Sequence, residues 1–494
     1  MSDLRWDRGE RINVQRERER ERQEVLVPEG RINLMKMASG KLRVAVIGAG
    51  AAGLCCAHNL LARPSIYEAP VVFETTGQVG GTWVYTEGSE TNSHVHSSMY
   101  RDLRTNLPKE IMEFPDFSFD PSVPSFPHHS KVLEYLEDYT DKLGIRPHIR
   151  FNCTVEVISP VLGDGDSVQV PWEVTFRTQG DAHPVTQRFE AVMVCAGHYS
   201  KPYIPDIAGM ETFQGQVLHS HVYRYPEVFS SRSVVLLGSG PSGVDIAMEL
   251  ASYAKEVTLS HRGSPLQWTL PKNVSLAPAV VHAAPHTLTC SDGTELKADT
   301  LIFCTGYKYN YPFLVPARSN GHLASSQESL GANNNPQPFN LLEDDEFLGP
   351  DMGQGHLPPL YKHLIHARYP TLCFIGACKK VVPFPLFNCQ ALFFLAVLEG
   401  KCQLPRPSQM LSESREELKK HLRDGLPLKY LHRLERDQWK YNRCLEETAG
   451  FEPLPPVLEK IYEACKSFRK ADPTSYRELN FQIVNKDQFR IISS

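Results

Sequence analysis

Short apolar runs rich in β-branched residues recur along the chain, and two of them share one design. Val44 to Ile47 reads as a strand that runs into Gly48, Gly50 and Gly53 and then into the helix-forming stretch AAGLCCAHNLL. Val234 to Leu237 repeats the plan, with Gly238, Gly240 and Gly243 ahead of a helix over about Ser242 to Tyr253. A second apolar strand follows each helix, in PVVFE (70–74) and EVTLSHR (256–262). Two further strands, in 191–209 (AVMVCAGHYSKPYIPDIAG) and 299–314 (DTLIFCTGYKYNYPFL), each run into a glycine and a loop, as a chain does when it leaves one domain for another. The pattern predicts an α/β fold with two Rossmann-like dinucleotide-binding domains. The second, near 215–308, is inserted in a discontinuous first domain formed by 41–214 and 309–470.

Outside these blocks the pattern changes. Residues 1–40 contain RERERERQE, alternating charge with few apolar positions, and read as a solvated extension. Residues 318–347 are polar and of low complexity, which predicts a loop insertion, and 471–494 mix charge into every turn and read as a tail. The longest apolar run, Ala391 to Leu398, has eight residues against the ~20 a membrane span needs, so it is expected as a core helix in a soluble, cytoplasmic protein. Peripheral attachment to a membrane surface stays open. A formal net charge of −5 over 494 residues gives no nucleic acid a reason to bind. Twelve cysteines are scattered with no CxxC pair, which fits reduced, buried thiols and no metal site.

The glycines carry the chemistry. Gly48 allows the tight turn off the strand, Gly50 lets backbone approach a pyrophosphate, and Gly53 lets helix pack closely on strand. The helix N-terminus then offers free N–H groups to phosphate. Glu74 lies 21 residues past Gly53, where a carboxylate can take both ribose hydroxyls. Gly80, Gly81 and Trp83 follow, a flexible backbone and a large aromatic just beyond the ribose, and fit an FAD site. In the second turn, Gly238, Gly240, Ser242 and Gly243 have the phosphate-binding places, but the acid is missing. Arg262 stands 19 residues past Gly243 instead. A guanidinium pairs with a ribose 2′-phosphate that a carboxylate would repel, so this turn is expected to take NADPH.

These segments resemble the flavin-containing monooxygenases, a family of class B flavoprotein monooxygenases. GAGAAG (48–53) and GSGPSG (238–243) are similar to its two dinucleotide motifs. Phe213, Gly215, His219 and Tyr223 match its FxGxxxHxxxY fingerprint, and FCTGY (303–307) resembles its FATGY. RTNLPKEIMEF (104–114) looks like the segment that brings an asparagine to the flavin, here Asn106. The FPLFNCQ segment (384–390) departs from the family by carrying Asn388 where Glu is common, and by resemblance it places Gln390 near the flavin.

The resemblance implies an NADPH- and O₂-dependent oxygenation of an amine nitrogen or a sulfide through a C4a-hydroperoxyflavin. The flavin does the difficult chemistry, so no acid–base dyad is required. Asn106 is then the expected catalytic residue, a neutral amide able to donate to the peroxide or to NADP⁺. His219 and His221 are expected to be structural. Partners are a small amine or sulfide and O₂, with homo-oligomerisation left open. Alternatives are a Baeyer–Villiger monooxygenase, against which Tyr223 argues, and an NADPH oxidase-type flavoprotein. A disulfide reductase would need a cysteine pair over the flavin, and a degenerate scaffold would not keep both glycine sets.

Overall fold

The computed structural model describes residues 31–32, 40–87, 97–162, 169–263, 270–314 and 357–492. The expected loop at 318–347 and nearly all of the N-terminal extension lie outside them.

A seven-stranded sheet forms the larger body. Its order is Leu360–Tyr361, Ile365–His366, Leu372–Phe374, Ala191–Val194, Val44–Ile47, Val71–Phe73 and Ile149–Arg150. The strands from Leu372–Phe374 to Ile149–Arg150 run parallel, and the two at the other edge are antiparallel. Val44–Ile47 and Ala191–Val194 are buried at every position, as expected of central parallel strands covered on both faces. The helix Ala51–Leu61 covers one face, packed against Pro383–Leu398. That second helix is apolar nearly all round and buried over most of its length, which makes it a core helix and accounts for the run Ala391–Leu398. No helix of the described residues is long and apolar enough to cross a membrane.

A second sheet has five parallel strands, ordered Gln216–His219, Thr300–Phe303, Ser233–Leu237, Glu256–Ser260 and Val274–Ala277. Every one of them lies between the Ala191–Val194 and Leu372–Phe374 strands of the first sheet in sequence, so the smaller body is an insertion. The two links between the bodies pair with each other: Lys201–Pro202 is antiparallel to Tyr307–Lys308.

Both ends of the chain carry structure. Arg31–Ile32, inside the segment expected as an extension, pairs with Leu404–Pro405. The segment expected as a tail forms a hairpin, Asn480–Asn485 with Gln488–Ile492, and buries Phe481 against Phe126. Ile483 and Phe489 are half-buried beside it while Gln482, Gln488 and Arg490 are exposed, so a charge in every turn is consistent with a strand that has one wet face.

Candidate active site

Two glycine turns leave the C-terminal ends of central parallel strands, where open α/β sheets bind ligands. The first leaves Val44–Ile47. Gly48 has φ +104°, and a Cβ there would lie 2.8 Å from the Cys195 carbonyl oxygen. A Cβ on Gly53 would come within 1.8 Å of the Gly48 oxygen. Only glycine lets the helix Ala51–Leu61 start this close to its strand. Glu74 ends the neighbouring strand, is 5% exposed, and accepts from the Ala49 N–H and the Thr76 N–H and hydroxyl, each at 2.8 Å. The carboxylate therefore faces the glycine turn. Gly80 and Gly81, both with positive φ, fold back over it, with a Cβ on Gly50 3.5 Å from the Gly81 Cα. Trp83 closes this short 3-10 turn and meets the Phe384 ring edge-on at 6.5 Å. The cradle of glycines and the inward carboxylate fit a dinucleotide such as FAD.

The second turn repeats the first almost atom for atom. A Cβ on Gly238 (φ +113°) would lie 2.6 Å from the Cys304 oxygen, and one on Gly243 1.8 Å from the Gly238 oxygen. The Gly48 N–H donates to Phe73 and the Gly238 N–H to Ser260, at 2.8 and 2.9 Å. His261 therefore occupies the place of Glu74, and Arg262 follows it. His261 is buried with Nδ1 2.9 Å from the Gly263 oxygen, whereas Arg262 is exposed and has no ion pair among the described residues. Ser242 is exposed in the first turn of the helix Pro241–Leu250, and Gly240 faces open space. The residues present fit a dinucleotide that carries an extra phosphate.

The fingerprint residues hold these parts together. A Cβ on Gly215 would strike the Phe213 ring and the Asp299 oxygen. His219 accepts from the His221 N–H through Nδ1 (3.0 Å) and sits 3.1 Å from the Gly306 oxygen through Nε2, so Nε2 carries the proton. Burial pushes this ring down to about 4. Tyr223 donates to Glu249 on the helix Pro241–Leu250 at 2.7 Å, and burial raises that carboxyl to about 7. Arg224 is buried with its guanidinium donating to the carbonyls of Thr86, Ser97, His221 and Tyr223.

Gln390 is fully buried, and its amide is already engaged. Its oxygen accepts from the Gly376 N–H at 2.8 Å and its nitrogen donates to Tyr441 at 2.9 Å. Asn106 is half-buried in the loop before the 3-10 turn Lys109–Ile111, and its side-chain amide makes no hydrogen bond among the described residues. Its backbone carbonyl faces the Cys465 thiol at 3.9 Å.

Sequence reasoning missed two participants. His198 lies in the first link, buried, with Nδ1 3.1 Å from the Gly376 oxygen and Nε2 unpartnered among the described residues. Burial and the nearby Lys379 push it down to about 3. Arg477, in the segment expected as a tail, donates to the Thr105 oxygen at 3.0 Å and pairs with Asp245 on the helix Pro241–Leu250 at 2.5 Å. Tyr100 hydrogen-bonds the same Asp245. The Asn106 loop is thereby tied to the second glycine turn. No sequence signal pointed to Arg477, whereas His198 stood beside a glycine at a strand end.

Comparison with known proteins fits this architecture. Residues 41–276 match the FMO-like family, flavin-binding monooxygenase-like. Flavin-containing monooxygenase FMO GS-OX-like 4 of Arabidopsis thaliana is 33% identical over 459 residues, covering 88% of this chain and 93% of that relative. The S-allyl-L-cysteine S-oxygenase of Allium sativum superposes with a TM-score of 0.75 at 31% identity, over 90% of this chain and 96% of the other. Tmm from Pelagibacter sp. strain HTCC7211 gives 0.70 at 26% identity, over 91% and 95%. Two glycine cradles at strand ends, an inserted second domain and these likenesses lead to one assignment: the chain belongs to the flavin-containing monooxygenase family and is an oxygenating flavoenzyme that acts on small molecules with O₂.

Proposed function

We propose that the chain holds FAD at the Gly48–Gly53 turn and takes NADPH at the Gly238–Gly243 turn to oxygenate soft nucleophiles, sulfides or amines. The observation that carries this is the unequal pair of strand ends: a buried carboxylate at Glu74, and an exposed guanidinium at Arg262 with no ion pair among the described residues. Bound flavin supplies the activation of O₂ once it is reduced. The chain's own part is to bind, orient and keep water out. Glu74 orients a ribose, and Gly238, Gly240, Ser242 and Gly243 present backbone to a pyrophosphate. Asn106 offers a neutral donor, so oxygen transfer proceeds without a strong acid beside it. Sulfides are placed ahead of amines because a solved structure matched at 31% identity is an S-oxygenase. Gln390 and His198 act on the site through the Gly376 loop they share.

The test measures NADPH consumed, product formed and peroxide released against a panel of sulfides and amines. Product matching NADPH for at least one sulfide is expected; peroxide alone with every compound overturns the reading. Asn106→Ser refines it. Losing ~1–3 kcal/mol at one donor raises unproductive peroxide release by roughly five- to a hundredfold, while flavin reduction by NADPH survives. Unchanged coupling in flavin-loaded protein removes Asn106 from the reaction.

A further inference from the structure

Away from the nucleotide turns, the Lys362 ammonium nitrogen lies 3.0 Å from the Cys444 sulfur. Eleven of the twelve cysteines are buried, and Cys444 alone is partly exposed. No other thiol touches it, so an oxidised Cys444 has no resolving cysteine. Its neighbour is the amine. A cation against a half-exposed sulfur is the setting in which thiols oxidise first. Reacting atoms about 3–3.5 Å apart are already in near-attack geometry.

The partners are held in place from both sides. Cys444 is fixed within the helix Asp437–Ala449. Lys362 sits in the tight turn between Leu360–Tyr361 and Ile365–His366, where it and His363 both have φ +52°, a conformation that side-chain-bearing residues keep only when their surroundings enforce it. Tyr441, one helical turn before Cys444, donates to the Lys362 carbonyl at 2.8 Å. Tyr441 also accepts from Gln390, which binds the Gly376 N–H. The Lys–Cys pair is therefore joined to the Gly376 loop by three consecutive hydrogen bonds.

From this geometry we infer that Lys362 and Cys444 form a reversible sulfenamide cross-link when peroxide accumulates. The oxidant is hydrogen peroxide, which flavin monooxygenases release when turnover is unproductive. The Cys444 thiolate attacks one peroxide oxygen: an S–O bond forms, the O–O bond breaks, and the departing hydroxide takes a proton from the Lys362 ammonium to become water, which leaves the amine neutral. The neutral Lys362 amine then attacks the sulfenic sulfur. An S–N bond forms, the S–O bond breaks, and a second water leaves with a proton from nitrogen. Overall, thiol, amine and one peroxide give the sulfenamide and two waters. Sulfur is oxidised and peroxide is reduced. A thiol reverses the link by attacking sulfur and returning the amine. The cross-link removes the lysine charge and pulls on the turn whose carbonyl anchors Tyr441, which makes it a brake on an enzyme that is wasting NADPH.

Flavin-loaded full-length enzyme would be treated with hydrogen peroxide, digested without reductant and analysed by mass spectrometry. A linked peptide pair joining Lys362 to Cys444, two hydrogens lighter than the sum of the free peptides and lost on adding dithiothreitol, is the expected result. Activity should fall in step with the linked fraction and return with dithiothreitol. Lys362→Arg keeps the charge but cannot close the link, so Cys444 should stop at a sulfenic acid that dimedone traps. Cys444→Ser should keep basal activity and lose the thiol-reversible response. Cys444 that stays a thiol, or that oxidises to sulfinic acid with Lys362 free, overturns the inference.

Discussion

The two glycine turns are the same device put to different ends. Each places a glycine against the carbonyl of a crossing cysteine, Cys195 or Cys304, and each packs so tightly that a Cβ on its last glycine would fall 1.8 Å from the oxygen of its first. What differs is the cover. Gly80 and Gly81 fold over the first turn, and Glu74 is buried beneath it. The second turn has no such roof among the described residues, and its charged partner is exposed. On the proposed reading, with flavin at the first turn and NADPH at the second, enclosure on one side and access on the other is what the two nucleotides need. A resident cofactor gains from a closed, buried cradle, and a reductant that leaves each cycle needs an open one with its affinity drawn from surface charge. The difference between the turns can therefore be tested by making matched changes in both.

The largest effect is expected from Gly53→Ala. Its Cβ would meet backbone, not a flexible side chain, so the helix Ala51–Leu61 must move off the central sheet. Overpacking costs about 1–3 kcal/mol, occasionally more, and a collision with backbone belongs at the upper end. The variant should purify with little flavin and a lowered melting temperature. Gly243→Ala meets the same collision in the inserted body. It should keep its flavin and lose reduction by NADPH. Equal flavin loss in both variants would mean that the turns do not act separately.

Glu74→Ala comes next. It strips the acceptor from the Ala49 and Thr76 N–H groups, at about 1–3 kcal/mol for a donor left unpaired in a buried site. Flavin content below one per chain, read from absorbance against protein, is the expected outcome; full occupancy would move the ribose contact elsewhere. Arg262→Ala is the counterpart in the open turn. Losing a charged hydrogen bond to phosphate, roughly 1.5–3 kcal/mol, should raise KM for NADPH by about ten- to a hundredfold and leave NADH almost untouched. An equal loss with both nicotinamides would rule Arg262 out as the phosphate ligand.

Much of this contrast was legible in the sequence because its causes are local. A Cβ that collides with a carbonyl five residues away enforces glycine wherever the turn occurs, and the acid or base at the next strand end follows at a fixed offset. The inserted order of the two bodies was legible for the same reason, since each link announces itself as a buried strand ending in glycine. The long-range pairings were not. Gln390 looks like a residue for the flavin, yet its amide is taken by Gly376 and by Tyr441, which lies on another helix. The last residues look like a solvated tail, because their apolar positions are only half of a two-faced hairpin. The other half of that contact comes from Ser125 and Phe126, far back in the chain. Arg477 has no motif at all; its role comes from reaching Thr105 and Asp245 at once.

The smallest effect, and the sharpest test of the open turn, is Gly240→Ala. Gly240 has φ −72° and ψ −179°, extended backbone that any residue adopts, and no described atom lies within 4 Å of the Cβ that alanine would add. The free enzyme should hardly notice. Stability should stay within about 0.5 kcal/mol of the parent, as for a surface change with no neighbours, and flavin content should be unchanged. The new methyl has one thing to meet, an incoming pyrophosphate, so the change should appear only as a weaker KM for NADPH. Gly81→Ala is the control from the covered turn. There φ is +55° and the Cβ would sit 3.0 Å from the Gly50 Cα, so the roof must shift and flavin should be lost during purification. Thermal melts and flavin absorbance on the two variants separate the cases. If Gly240→Ala melts several degrees low, or loses flavin as Gly81→Ala does, the second turn is covered after all, and the contrast between a closed and an open cradle fails.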